Sequence, residues 1–271
     1  LTRICFIVFV SFLIYSNTVF AQQGIAQLRV DYTSEQISLK EYIVTMGYAV
    51  FYPEKLNPLY RNSDDMRNKC ATEAVNLIKS NYELLTLEEQ ELFNKFLFRP
   101  SAAQLPETYN SPEGLFKIHY TTTGVDAVLE GDDNTNGIPD FVEQVGISLD
   151  RSYNFYAESG YNLAPNDNVD GNEYDIYLSD LGAGVYGLPT AETDQSGTPW
   201  FDPSSYISMS SNFQDDDLFT HGTDALKVTG AHEFHHAVQF SYIFRSSDIF
   251  FYEMTSTLFE DILYDEVNDY L

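Results

Sequence analysis

The hydrophobic positions of this chain change period several times, and the changes mark its elements. From Ser63, the residues Met66, Cys70, Ala74, Leu77 and Ile78 recur at helical spacing. Thr86-Leu87-Glu88-Glu89 then has a capping-box arrangement and leads into Leu92, Phe93, Phe96 and Leu97 before Pro100 ends the run. Residues 105–114 are rich in turn formers and read as a linker. Leu115 to Thr121 has the composition of a strand, and His119, alternating with apolar neighbours, reads as a strand residue and not a ligand. Val142, Val145, Leu149, Tyr153 and Tyr156 predict a helix from about Pro139 to Glu158, closed by Gly160. Tyr174–Leu178 and Tyr206–Ser210 alternate as strands on either side of a Gly/Pro-rich excursion over 181–204, and the second strand is the candidate sheet edge for pairing with an extended peptide. A helix starting near Thr223-Asp224 continues through Val228, His232, His236 and Phe240. Asp248 then caps another, Ile249 to about Tyr264, which a short connection folds back antiparallel to the first.

Together these elements predict an α+β domain over 106–271, with a mixed sheet over a helix, preceded by a mainly helical region over 22–105. The earlier region shows no chemistry of its own and reads equally as a propeptide or as a packing domain. Residues 1–21 fall outside both. Arg3, the apolar run Ile4–Tyr15 and the small residues before Gln22 have the pattern of a secretory signal peptide cleaved after Ala21, too short to span a bilayer. The expected location is therefore extracellular or at a bacterial cell surface, with no membrane insertion after cleavage.

Charge sharpens this reading. The chain of 271 residues carries a net charge of −27, and loss of Arg3 with the leader makes it −28. Such a charge repels phosphate backbones and anionic membranes, so nucleic acid is excluded as a partner, while cations are favoured. Cys5 leaves with the leader and Cys70 remains as the one mature cysteine, so no intrachain disulfide can form. Metal ions are the more plausible staples.

The candidate chemistry starts at Ala231-His232-Glu233-Phe234-His235-His236-Ala237, an H-E-x-x-H motif within a predicted helix. Residues four apart share a helix face, so His232 and His236 can present two imidazole nitrogens to one Zn²⁺, with Glu233 placed as general base for a metal-activated water. His235 is read as a residue packed behind the ligands. A catalytic zinc site needs a third protein ligand and an open position. Glu253, on the returning helix, faces the histidines and is the candidate; Glu260, two turns further, is read as orienting a ligand histidine or holding the two helices together.

A second constellation, Asp132 to Glu143, fits the D-x-[DN]-x-[DN]-G-x5-E calcium loop. Asp132, Asn134, Asn136, Asp140, Glu143 and the Ile138 carbonyl supply oxygens for Ca²⁺, and Gly137 permits the sharp turn. The acidic stretch over 166–172 reads as a solvated loop.

H-E-x-x-H followed by E-x6-E, as in Glu253–Glu260, resembles the gluzincin metallopeptidases, the group of thermolysin and aminopeptidase N. More loosely, the order of L-P-E-T-Y-x-S-P-x-G, N-G-I-P-D and H-E-F-H-H-A-V-Q-F resembles secreted bacterial proteins described as putative metalloproteases. The resemblance implies a zincin-like catalytic domain, zinc on His232, His236 and Glu253, Glu233 as general base, and a peptide or protein substrate. Gluzincins take a hydrogen-bond donor for the transition state from a later subdomain. Tyr264 and Tyr270 are the candidates within this chain, and the domain is expected to continue beyond Leu271. The rival expectation is a metal-stabilised surface adhesion or binding module without turnover; a zinc hydrolase acting on something other than peptides is a third.

Overall fold

The computed structural model describes residues 24–61, 70–165, 169, 171–182, 184–194, 197–214 and 220–268. The leader over 1–21 lies outside these residues, as do most of the acidic stretch 166–172 and Tyr270. Among the described residues, no helix is long and apolar enough to cross a membrane.

The chain divides into two compact units between Met66 and Arg67. The first holds helices α1 (Gly24–Thr33) and α2 (Leu39–Phe51). Ser38 caps α2 by accepting from the Glu41 amide, Tyr32 stacks on Tyr42 with ring centroids 4.6 Å apart, and the Tyr60 hydroxyl donates to the buried Asp31 at 2.9 Å. The turn-rich stretch after residue 105 suggests a domain boundary there, whereas residues 70–105 belong to the second unit.

Among the described residues, that second unit is a mixed five-stranded sheet with five α-helices: α3 (Thr72–Ser80), α4 (Leu87–Leu97), β1 (Glu107–Asn110), β2 (Phe116–Tyr120), α5 (Asp140–Glu158), β3 (Tyr174–Ser179), β4 (Gly187–Asp194), β5 (Pro203–Ser210), α6 (Gly222–Phe240) and α7 (Ile249–Leu263). The strand order is β1-β2-β3-β5-β4, with β2, β3 and β5 parallel and both outer strands antiparallel to their neighbours. The α+β expectation therefore holds.

Two strands depart from the sequence reading. The supposed linker contains β1, which pairs with β2 through a turn closed by Ser111, whose hydroxyl oxygen accepts from the amides of Leu115 and Phe116. The excursion over 181–204 contains β4, which occupies the sheet edge. β5, the candidate edge for pairing with a peptide, is interior and buried along its whole length. An edge strand tolerates proline because one row of its backbone groups needs no partner, which is why Pro189 fits within β4.

Alternation sorts the sheet faces. Phe116, Ile118, Ile176, Leu178, Ile207 and Met209 face a core shared with α5 and α6. On the other face, Arg99 pairs with Asp175 and, through two bonds of 2.8 and 2.6 Å, with Glu192. His119 lies there too, 2.9 Å from Asp175 and stacked on Tyr177, as a strand residue that packs. The predicted capping box of α4 is present in full: Glu89 N–H donates to Thr86 Oγ1, and Thr86 N–H donates to Glu89 Oε2 at 2.6 Å.

Candidate metal centre

Helix α6 is buried over most of its length between the sheet and α7, so its polar residues must find partners inside the protein. His232, Glu233 and His236 do so where α6 faces α7 and the start of β4. His236 Nε2 is 3.1 Å from His232 Nε2, His232 Nε2 is 3.2 Å from Glu253 Oε2, and His236 Nε2 is 3.4 Å from Glu253 Oε1. In a tetrahedral site with bonds of about 2.0–2.1 Å, neighbouring donor atoms lie about 3.3–3.4 Å apart. The three groups thus have the mutual spacing a tetrahedral cation requires.

The outward nitrogens are held from behind. His232 Nδ1 is 2.5 Å from Glu260 Oε1. His236 Nδ1 is 2.8 Å from Gln239 Oε1 and 3.2 Å from Ser256 Oγ, while Gln239 Nε2 donates to Thr255 Oγ1 at 2.7 Å. With Nδ1–H donated backwards, both Nε2 lone pairs point to the shared centre. Glu260, read from the sequence as orienting a histidine or holding the two helices together, is the residue in contact with His232 Nδ1. His235 points away, taking the Tyr156 hydroxyl on Nδ1 at 2.9 Å and stacking on Phe259 with centroids 4.2 Å apart. Burial, reinforced by the charges of His236 and His232, pushes its pKa down to about 2.

Glu233 is almost wholly buried, and burial pushes its carboxyl up to about 7 against the opposing pull of His232 and His236. It fits against backbone: a Cβ on Gly187, the first residue of β4, would lie 2.6 Å from Glu233 Cγ. Burial disfavours a charged His236, but the Glu253 carboxylate together with Cys70 outweighs this and raises it to about 10. Glu253 itself is held well below the usual carboxylate range despite burial, by His236 and His232.

Comparison with known protein families, characterised proteins and solved structures finds no match for this chain.

One further residue, to which the sequence assigns no site role, lies at the centre. Cys70 Sγ is 3.5 Å from both His236 Nε2 and Glu233 Oε2. The donor atoms of Cys70, His232, Glu233 and His236 lie within 4.8 Å of one another, so this quartet is a second possible grouping around a cation. Glu253 is the better carboxylate ligand, because it contacts both imidazole Nε2 atoms while Glu233 is directed at Gly187 and Cys70. The signal in the sequence was the lone mature cysteine; Gln239 and Gly187 carried none beyond the three-residue step from His236 and a break in hydrophobic pattern.

Of the two tyrosines considered as donors, Tyr264 is buried with its hydroxyl donating to the Ser148 carbonyl at 3.4 Å. The candidate calcium residues are brought into one loop. Asp132 accepts from the amides of Asn136 and Gly137, and the side-chain amides of Asn134 and Asn136 each donate to Glu143 at 2.8 Å. Gly137 has φ +88°, the left-handed turn that favours glycine. Asp140 accepts from the Asp133 amide at 3.0 Å.

Proposed function

We propose that this chain is a secreted zinc-dependent peptidase with a zincin-like catalytic unit. The observation that carries the reading is the convergence of His232, His236 and Glu253 at tetrahedral spacing, each histidine braced through its other nitrogen. Borderline-soft Zn²⁺ suits two imidazoles and a carboxylate, a donor set that structural sites seldom use. The resemblance to gluzincins assigns the same residues, and the leader-like start supports export.

When bound, zinc supplies Lewis acidity towards water and a substrate carbonyl. The protein's part is positional. His232, His236 and Glu253 hold the ion; Glu260 and Gln239 fix the ring orientations. Glu233, buried beside the ligands but directed at Gly187, takes the proton from the attacking water and returns it to the leaving amine. A carboxyl raised by burial is suited to both transfers. The edge strand β4, whose first residue touches Glu233, offers backbone groups along which an extended peptide can pair. The loop over 132–143 is proposed as a Ca²⁺ site that fixes the start of α5, with stabilisation as its role.

The test is zinc content together with peptide hydrolysis. One zinc per chain, lost in His236→Ala but kept in Glu233→Gln, with hydrolysis only where His236 and Glu233 are both retained, supports the reading. Zinc binding without hydrolysis of any peptide by an opened site would favour the binding module.

A further inference from the structure

We infer that Cys70 is a fourth protein ligand to the proposed zinc, and that residues 70–71 close the site until they are withdrawn. The inference rests on the zinc reading above and deepens it, by assigning the position that hydrolysis needs open. A thiolate at about 2.3 Å and an imidazole at about 2.0–2.1 Å from a tetrahedral zinc lie about 3.6 Å apart. Cys70 Sγ stands 3.5 Å from His236 Nε2. Its neighbours are an imidazole, the Glu233 carboxylate and the Thr72 hydroxyl, which is not the apolar setting of a cysteine that merely packs.

The backbone supports the same role. Cys70 forms a parallel bridge with Gly187, and the Ala71 amide donates to the Gly187 carbonyl at 3.3 Å. Gly187 opens the edge strand and touches Glu233, so residues 70–71 occupy the part of the edge nearest the proposed base. Helix α3 follows at once and is tied to the same strand, with Lys79 Nζ donating to the Ala191 carbonyl at 2.8 Å. Thiol and backbone thus fill two places at once, those of the attacking water and of a substrate strand. Three ligands with an open position describe a catalytic zinc, and four protein ligands a closed one.

The experiment compares the full chain with Cys70→Ala and, in case alanine disturbs folding, Cys70→Ser. Each is loaded with Co²⁺ for spectroscopy and with Zn²⁺ for chelator competition and peptide hydrolysis. Expected are a thiolate-to-cobalt charge-transfer band in the wild type alone, zinc affinity lower in both variants by at least about tenfold, the scale of losing even an outer bracing partner, and hydrolysis faster in the variants by at least about tenfold as the open position appears. A wild type without the band, with affinity and hydrolysis equal to the variants, would overturn the inference and leave the zinc reading standing. A band without faster hydrolysis in the variants would keep the ligand and overturn the latency. No metal bound by any of the three would overturn the zinc reading itself.

Discussion

Glu260 stands 2.5 Å from Nδ1 of His232, two turns beyond Glu253 on the same returning helix. One face of α7 therefore supplies both the carboxylate that meets the Nε2 atoms of the two histidines and the one that braces a ring from behind. Replacing Glu260 with Gln keeps shape and removes charge. Zinc affinity should fall about 10–100-fold, the usual effect of losing a carboxylate behind a ligating histidine. Chelator competition measures it; unchanged affinity would mean that His232 is oriented by packing alone.

Gly187 bears on the base in a different way. A Cβ there would meet Glu233 Cγ at 2.6 Å, and the carboxylate has little room to retreat because the residue is almost wholly buried. Gly187→Ala should lower kcat by at least about tenfold while leaving bound zinc in place, since a misplacement of about 1 Å can cost a hundredfold. Metal analysis beside steady-state kinetics separates the two effects.

In the metal-free protein, Glu253 and Cys70 hold the pKa of His236 up to about 10 against burial. A group raised on folding contributes stability that is complete below its ordinary value near 6.5 and is lost as pH rises towards 10. The melting temperature of the metal-free protein should therefore fall across that window, and zinc binding at pH 7 should release protons. Calorimetry in buffers of different ionisation enthalpy reads the release. A proton count of zero would contradict the pairing.

On the far face of the sheet, Arg99 neutralises Asp175, which is 2% exposed, and also pairs with Glu192. Arg99→Ala takes the cation away from a buried carboxylate that then keeps His119 beside it, and should cost about 3–5 kcal/mol. Denaturant unfolding measures this, and a loss below about 1 kcal/mol would place the pair among weak surface contacts.

For the loop over 132–143, a calcium-selective chelator should lower the melting temperature, and Asp132→Ala should abolish that sensitivity. An identical curve with and without chelator would reduce the loop to a helix-capping turn.

How far the sequence carries depends on the range of the interaction. His232, Glu233 and His236 lie within one helical turn and a half, and Glu253 with Glu260 within two more, so local periodicity is enough to align them. The Thr86 capping box is local too and is found with both bonds. β4 is different: Gly187 and Pro189 break any strand pattern, and only pairing with β5 makes the segment a strand. β5 alternates like an edge strand, yet its polar serines are buried, because what covers its second face comes from elsewhere in the chain. Cys70 is furthest from legible. It lies 162 residues before His232, and α3, packed on the edge strand, brings it to the centre.

The central claim is hydrolysis through Glu233, and the most direct measurement is cleavage of a quenched-peptide library by zinc-loaded Cys70→Ala, with and without Glu233→Gln. The cysteine variant keeps the position open whether or not the thiol closes it. The account predicts cleavage by the single variant, lost by at least about a hundredfold in the double variant at equal zinc content, the scale of removing a general base. Equal cleavage by both, or none by either when zinc-loaded and folded, would contradict it.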